Sequence, residues 1–255
     1  MSAGSASTEQ PRGLSVLIAI ASPDEGVRVE TVVERIVIVG AGGHGREIVA
    51  LAAACNLAAE QPIYDVVGVV DDGKPDLKRL EQLSVSLLGP IEAVGNLDAR
   101  YVIGIGSPSV RRVVDSRLAA IGAIAAAPII HPLAWVGLDV ELAPGVIVCA
   151  GAIVTTNVRL GRHTHLNLQA TVSHDCRVGE YVTVAPMCAI SGNVTLEDEV
   201  ELGAGVSVIP AVTIGRGATI GAGAVVTRDV APGMVAVGVP ARSRPRRHHT
   251  SQERG

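Results

Sequence analysis

The sequence predicts a mixed fold in which a small parallel α/β domain precedes a β-solenoid. Two patterns carry this prediction. From Ile130 to Val226 an aliphatic residue occupies every sixth position, and a glycine-rich loop beginning at Gly40 separates an apolar run from a helical stretch. A length of 255 residues suits one or two domains, so both patterns fit within a single chain.

The repeat of six indicates extended chain rather than helix. Six is a multiple of the two-residue strand period, so every sixth side chain of a strand returns to the same face. In a helix the same stripe would rotate by about 240° at each step. Turn residues such as Pro144, Gly145 and Gly215 lie between the anchors. One turn per hexad is typical of a solenoid, whereas a β-sandwich needs turns about 8–12 residues apart.

The α/β prediction starts from the glycine-rich loop between a predicted strand at 36–39 and a predicted helix at 46–55. This order matches the nucleotide-binding pattern G-x-G-x-x-G, in which glycines let backbone N–H groups approach phosphate at a helix N-terminus. A tight strand-to-helix turn without a ligand is the alternative. The loop residues assigned to the substrate site are Gly40, Gly42, Gly43, His44 and Gly45.

Two further predicted strands complete a Rossmann-like domain at 34–126. The strand at 66–70 ends in two acidic residues, where an acid that binds ribose is expected. The strand at 101–105 leads into a good helix start. The residues at these strand ends assigned to the substrate site are Asp71, Asp72, Gly106 and Ser107. The apolar residues of the following helix are Val110, Val113, Val114 and Leu118.

Taken in order, several motifs resemble one family. They are Gly-Ala-Gly-Gly-His-Gly (40–45), Val-Val-Gly-Val-Val-Asp-Asp (66–72), Ser-His-Asp-Cys (173–176) and Val-Gly-Val-Pro-Ala-Arg (237–242). With the hexads, they resemble the sugar O- and N-acetyltransferases of the sialic-acid and bacillosamine (NeuD/PglD-like) type over roughly 35–242. The resemblance implies a left-handed parallel β-helix of about five coils at 127–242, a homotrimer, and acetyl-CoA bound between subunits.

The resemblance also implies roles for single residues. His174 would be the general base and Asp175 its orienting partner, since acetyl transfer needs a group that takes the acceptor proton. The residues implied to contact acetyl-CoA are Asn167, Gly192, Gly203, Ala222 and Arg242. The chain departs from the family at Thr183, where relatives often carry a second histidine. We interpret His163 and His165 as surface residues and His131 as structural.

The function expected from this resemblance is acetyl-CoA-dependent acetylation of an amino group on a nucleotide-linked amino sugar. O-acetylation of sialic acid or a related sugar is the alternative within the same family. A metal hydratase resembling gamma-class carbonic anhydrase needs three converging histidines. A step of one coil from any histidine of the repeat region reaches no other histidine, so we predict no metal. A non-catalytic scaffold is the third possibility.

Composition limits the partners and the location. A net charge of −4, 2% aromatic residues and no phenylalanine argue against a nucleic-acid surface. No apolar run approaches the length of a membrane span. Four scattered cysteines and the implied cofactor favour the cytoplasm. Residues 1–33 are predicted to be a flexible extension, although the segment from Leu14 to Ala21 has some features of an export signal. Residues 243–255 are predicted to be a disordered tail.

Overall fold

The computed structural model describes residues 33–246. The predicted extension before Val33 and the predicted tail beyond Arg246 lie outside the described residues. The described chain contains a three-stranded α/β domain followed by a parallel β-helix. The elements of the α/β domain are β1 (Glu34–Val39), α1 (Gly43–Ala58), β2 (Tyr64–Val70), α2 (Leu77–Glu81), a 3-10 helix (Ile91–Asn96), β3 (Arg100–Ile103) and α3 (Pro108–Ala120).

The parallel sheet of the α/β domain has the order β2, β1, β3, which places the first strand in the centre. Residues Ile36 to Val39 of β1 are fully buried, because α1 packs on one side of the sheet and α3 on the other. The strand order reverses beside β1. In open parallel sheets ligands bind at such a point, beyond the carboxyl ends of the strands. The loops after β1 and β3, which hold predicted substrate residues, both lie there.

Three faces of short parallel strands form the β-helix. Face 1 comprises β4 (Ile129–Ile130), β7 (Ile147–Val148), β10 (His165–Leu166), β13 (Thr183–Val184), β16 (Glu201–Leu202), β19 (Thr219–Ile220), β21 (Met234–Val237) and the antiparallel β22 (Arg242–Pro245). Face 2 comprises β5 (Trp135–Val136), β8 (Ile153–Val154), β11 (Thr171–Val172), β14 (Ala189–Ile190), β17 (Ser207–Val208) and β20 (Val225–Val226). Face 3 comprises β6 (Val140–Leu142), β9 (Val158–Leu160), β12 (Arg177–Val178), β15 (Thr195–Leu196) and β18 (Thr213–Ile214).

Up to β20 each coil repeats after 18 residues, so that His165 pairs with Thr183 in the next coil. Five complete coils run from β4 to β18. The strands β19 and β20 and a bridge between Ile214 and Val230 add a sixth, so the prediction of about five coils is one too low. The first two sides of the last coil follow the hexad pattern, with anchors at Ile220 and Val226, but its third side is an irregular segment with no hexad.

The chain after β20 covers the open end of the β-helix. The Val225 N–H donates to the Gly238 carbonyl at 3.1 Å, and the Ala241 N–H donates to the Val225 carbonyl at 2.8 Å. Strand β22 then pairs with β21, so ordered chain continues to Pro245. The predicted boundary of a disordered tail at Ser243 is therefore wrong. Polar and charged residues suit an exposed edge strand, and composition does not distinguish such a strand from a tail.

The α/β domain packs against the first coils of face 1. The outward side chains of Ile129 and Ile147 are fully buried and share a hydrophobic cluster with Ile48 and Leu51 of α1. Cys149, one residue beyond β7, belongs to the same cluster. The inward residues of the β-helix form a separate core that includes Cys176 and Cys188, as the hexad pattern predicts. The two domains therefore share a buried apolar contact.

Arg111 connects α3 to the β-helix from a fully buried position. Its guanidinium donates to the carbonyls of His163 (3.0 Å) and Tyr181 (2.8 Å), to the Thr183 hydroxyl (2.9 Å), and to the Ile105 carbonyl at 2.7 Å within its own domain. Burial lowers the pKa of Arg111, because the charged form loses hydration. A guanidinium has five N–H donors in a fixed plane and can serve all these acceptors together, whereas a lysine has three donors.

Asp115, one turn further along α3, is the centre of a second polar cluster. It accepts hydrogen bonds from Arg162 Nε (2.9 Å), His163 Nε2 (2.8 Å) and the hydroxyls of Tyr101 and Tyr181. Burial opposes the ionisation of Asp115, but these donors outweigh it and hold its pKa below the ordinary value. The interface between the domains is thus specified by polar pairing as well as by apolar contact.

Replacement of Arg111 by methionine tests the importance of this connection. Arg111→Met leaves several buried carbonyls without donors, so we expect the free energy of unfolding to fall by about 2–4 kcal/mol. Arg112→Met is the matched control on the same helix, since Arg112 is half exposed and pairs with Glu199 at 2.9 Å. The control should cost less than about 1 kcal/mol. Thermal and denaturant unfolding measure both, and equal losses would contradict the assignment.

Candidate active site

His174 and Asp175 lie at a corner between faces 2 and 3 of the β-helix. Asp175 has a φ of 62°, in the left-handed region that aspartate tolerates better than most residues. His174 Nδ1 lies 2.7 Å from Asp175 Oδ2. A carboxylate only accepts, so Nδ1 donates and Nε2 is the basic nitrogen. The two side chains are 62% and 46% exposed, which leaves the pair accessible to a substrate.

Asp175 is held from both sides. Asn157, one coil earlier on the same corner, donates from Nδ2 to Asp175 Oδ1 at 3.3 Å. The hydrogen bond to His174 and then that to Asn157 lower the pKa of Asp175 below its ordinary value. The carboxylate is therefore ionised near neutral pH and fixes the tautomer of His174. Asn157 belongs to no motif of the sequence, and only the 18-residue coil, which places it beside Asp175, indicates its role.

Gly192 lies against the imidazole of His174, one coil further along the same corner. A Cβ atom at Gly192 would lie 2.6 Å from His174 Nε2, and the nearest atoms to it all belong to that ring. A glycine is therefore required for the observed position of the ring. The structure thus brings His174, Asp175 and Gly192 together, as the 18-residue spacing predicts.

The other predicted acetyl-CoA residues lie elsewhere in the same subunit. Asn167 and Gly203 follow β10 and β16, at the edge between faces 1 and 2, and Ala222 lies beside Gly203 at this edge. Asn167 Nδ2 donates to the Val184 carbonyl at 2.9 Å, which orients its amide. Arg242 is exposed at the start of β22. Face 2 separates this group from His174, so one subunit does not bring the two groups together.

The glycine-rich loop adopts the form expected of a phosphate-binding turn. Gly40 has a φ of +101°, and a Cβ atom at Gly45 would overlap the backbone of Gly40. Gly42 and Gly43, by contrast, face open space. Helix α1 begins at Gly43 without a side-chain cap and without an acidic residue in its first turn. Its first N–H groups are therefore suited to an anion.

Asp71 and Asp72 have different surroundings at the end of β2. Asp71 accepts hydrogen bonds from the N–H groups of Ala41 and Gly73, both at 2.7 Å, and so supports the glycine-rich loop. Asp72 accepts from the Ile91 N–H at 3.0 Å and pairs with Arg117 at 2.8 Å. These bonds lower the pKa of Asp72. A ribose contact stays a prediction for both residues.

Gly106 and Ser107 lie between β3 and α3. The Gly106 carbonyl accepts from Arg111 (2.9 Å) and from the Thr183 hydroxyl (2.8 Å), so it belongs to the connection between the domains. Ser107 is the N-cap residue of α3, but its side chain makes no capping hydrogen bond. It stays a candidate for substrate contact. Thr183, where relatives often have histidine, is bound to Arg111 and Gly106 and is nearly buried.

The interpretation of His163 and His165 as surface residues is wrong, since both are fully buried against the α/β domain. His165 Nδ1 lies 3.0 Å from His44 Nε2, and His44 Nδ1 lies 3.0 Å from Glu47 Oε2. Burial is the main cause that lowers the pKa of both His163 and His165. His131 accepts the Leu133 N–H at 3.0 Å, which fits the structural role expected for it.

Residues 33–246 contain neither a group of potential metal ligands nor a helix that could span a membrane. Within that range, three or more His, Cys, Asp or Glu side chains are nowhere grouped so that they could hold a metal ion. In the same part of the chain, helices are too short or too polar to cross a membrane.

Two family models match this chain, one in each of the described domains. The model of the PglD N-terminal domain matches residues 35–118, and the model of bacterial transferase hexapeptide repeats (six repeats) matches residues 193–228. Fold and candidate site therefore define a hexapeptide-repeat acyltransferase with a Rossmann-like N-terminal domain.

Individual relatives narrow the class. GDP-perosamine N-acetyltransferase of Escherichia coli O157:H7 is 31% identical over 63% of this chain and 72% of its own length. PerB from Caulobacter crescentus, solved with CoA and GDP-perosamine, is 31% identical with a TM-score of 0.73 and covers 82% of this chain and 96% of its own. The acetyltransferase domain of PglB from Neisseria gonorrhoeae FA1090, solved with acetyl coenzyme A, is 28% identical with a TM-score of 0.73. That match covers 83% of this chain and 99% of the PglB domain.

The chain belongs to the NeuD/PglD-like family of hexapeptide acetyltransferases. It is an acyltransferase that takes the acetyl group from acetyl-CoA. The predicted fold class, a Rossmann-like domain followed by a left-handed parallel β-helix, is confirmed.

Substitution of Gly192 tests the contact with the His174 ring. In Gly192→Ala the new methyl group displaces the imidazole, so we expect kcat to fall about a hundredfold with little change in melting temperature. Pro210→Ala is the control, because Pro210 is exposed at the same corner one coil further on. Steady-state kinetics and thermal unfolding measure both variants. A Gly192→Ala enzyme with unchanged kcat would mean that the ring position does not matter.

The buried histidines predict a pH dependence of stability. Their pKa values lie below the 6.5 of an unperturbed histidine, so at acidic pH the unfolded chain binds more protons than the folded protein. Their contribution is complete above that value and is lost as the pH falls. We expect the free energy of unfolding to fall between about pH 7 and about pH 5, by up to about 1.4 kcal/mol per pH unit for each histidine, and the melting temperature to decline with it. A constant melting temperature over this range would contradict the prediction.

Proposed function

We propose that this chain transfers an acetyl group from acetyl-CoA to the amino group of a nucleotide-linked amino sugar. The observation that carries the proposal is the accessible His174–Asp175 pair, with its 2.7 Å hydrogen bond, in a chain that also holds an open glycine-rich loop. The relatives support the choice of substrate, because one is named for N-acetylation of GDP-perosamine and another was solved with that sugar nucleotide.

The chemistry assigned to the pair is proton transfer. The sugar amine attacks the thioester carbonyl, a C–N bond forms, and the C–S bond of acetyl-CoA breaks. His174 Nε2 takes the proton that the amine loses and passes it to the departing thiolate. Asp175 stabilises the imidazolium that forms between these steps. We assign the developing oxyanion to the Gly192 N–H.

The N-terminal domain is assigned to the nucleotide. The first turn of α1, with Gly42 and Gly43 open to solvent, suits the diphosphate. Asp71 holds the loop from below through the Ala41 N–H. Ser107 lies on the neighbouring loop, at the same carboxyl edge of the sheet. We expect the sugar to extend from this edge of the sheet towards His174 of the same or a neighbouring copy.

We further propose a homotrimer in the cytoplasm. His174 and Asn167 lie on opposite edges of face 2. An acetyl-CoA that contacts a His174 and an Asn167 together therefore has to lie between two copies, with one residue from each. Face 2 offers a suitable contact surface, because Trp135 and Ile153 expose apolar side chains there and Ala189 and Ser207 are small. Small residues at the other edge, Gly203 and Ala222, leave room for a pantetheine chain. Acetyl-CoA and sugar nucleotides are cytoplasmic metabolites.

Release of CoA thiol from acetyl-CoA tests the proposal. GDP-perosamine, a UDP-linked 4-amino sugar and free sialic acid are offered in parallel to the wild type and to His174→Ala. We expect turnover of a nucleotide-linked sugar, and a fall in kcat of about 10²–10⁴-fold in His174→Ala because the base is lost. Turnover of free sialic acid alone would instead favour O-acetylation and contradict the proposed substrate class.

Two controls accompany this test. Light scattering should find three copies of both wild type and His174→Ala, because His174 is exposed and does not contribute to the core. Asp175→Asn should lower kcat less than His174→Ala, since it retains the base and loses only its orientation and charge. A variant that dissociates would identify His174 as a packing residue rather than a base.

A further inference from the structure

The contact between His44 and His165 has no part in the proton transfer described above. His44 is the second residue of α1 and lies between two glycines of the nucleotide-binding loop. His165 lies on β10 of the β-helix and is fully buried. Their rings are 4.9 Å apart between centroids, and Nε2 of His44 is 3.0 Å from Nδ1 of His165. A single hydrogen bond thus joins the loop to the other domain.

The direction of this hydrogen bond follows from Glu47. Glu47 lies one turn after His44, and its ionised carboxylate only accepts, so His44 donates from Nδ1. Nε2 of a neutral His44 is then an acceptor, and His165 donates to it from Nδ1. Burial, and then the nearby charge of Arg111, lower the pKa of His165, which is consistent with a neutral ring. Its Nε2 has no hydrogen-bond partner among residues 33–246.

An unpaired buried nitrogen is unfavourable for stability, and the chain itself offers a more stable alternative. Ile147 and Ile129 occupy the equivalent outward positions one and two coils earlier, and both are fully buried under the same domain. An aliphatic residue therefore suits this row. A histidine at 165 has a stability cost, which needs a compensating role.

We propose that His165 is a positioning residue for the nucleotide-binding loop and that it acts by holding the ring of His44. The inference rests on the proposed function of that loop. Gly42, Gly43 and Gly45 have no side chains with which to fix the loop, so His44 is the anchor available within it. With its ring held by Glu47 on one side and by His165 on the other, the loop is preorganised for a diphosphate, and less order has to be gained on binding.

His165→Ile and His165→Asn test the inference together. The isoleucine variant reproduces the residue of the earlier coils and removes the donor, whereas asparagine keeps an N–H donor close to the position of Nδ1. We expect His165→Ile to raise the Kd for GDP or UDP, and the KM for the sugar nucleotide, about tenfold. The KM for acetyl-CoA should stay within about twofold. In His165→Asn the nucleotide affinity should return to within about threefold of wild type.

Stability distinguishes positioning from a structural role. Because His165→Ile removes an unpaired buried nitrogen, its melting temperature should equal or exceed that of wild type while nucleotide binding weakens. His44→Ala and the double variant His44→Ala, His165→Ile should bind nucleotide equally, since His165 acts through His44. A lower melting temperature with equal loss of both substrates, or additive effects in the double variant, would overturn the inference.

Calorimetry of nucleotide binding needs no catalysis, so it separates this inference from the proposed function. Wild-type protein that binds GDP or UDP, with His165→Ile binding as tightly, would overturn the role of His165 alone. Wild-type protein that binds neither nucleotide would remove the proposed function of the loop and this inference with it. Binding that is weakened in His165→Ile and restored in His165→Asn would support the inference even without detectable acetyl transfer.

Discussion

The invariant 18-residue coil is the constraint on which the rest of the structure depends. Every described strand of the β-helix before the closing hairpin pairs with the strand one coil away without a shift in register, so side chains stack in rows along the axis. This register places Gly192 against His174 and Asn157 beside Asp175. A single insertion within a coil would separate these pairs, because each side chain would move to a different position or face.

The coil also determines how the α/β domain attaches. The outward row of face 1 reads Ile129, Ile147, His165, Thr183, Glu201, and so changes from apolar to polar along the axis. The first four are buried by the domain, and Glu201 lies at its margin. The apolar contact stabilises the interface in proportion to the area buried, but it does not fix the relative orientation of the two domains. The hydrogen bonds of Arg111 and Asp115 supply direction, since their acceptors and donors are fixed in both domains.

Much of this architecture follows from the sequence, and the failures have physical reasons. Hexads report the inward row and so predict the core. They do not show that the α/β domain covers the outward row of face 1 and the turn before β10, which is why His165 and His163 are wrongly predicted to be surface residues. In α3 the buried stripe is Arg111, Val114, Asp115 and Leu118, whereas Val110 and Val113 are exposed. A search for apolar periodicity favours the valines, because a buried arginine makes sense only with partners that lie about 70 residues away.

The candidate functional residues stand out where the chain departs from its own repeat. His174 stands where the neighbouring coils have Thr156 and Gly192, whereas Asp175 continues a row of Asp and Asn residues that share its positive φ. Side chains at a corner are free to serve another purpose, because a corner contributes little to the core. His165 follows two isoleucines in its row and leaves a nitrogen unpaired among residues 33–246. A residue type that suits its position in the fold needs no further explanation. A residue type that destabilises the fold requires a compensating gain in function. By that argument we propose that the corner and the buried row are two places, among residues 33–246, where this β-helix departs from stability for the sake of function.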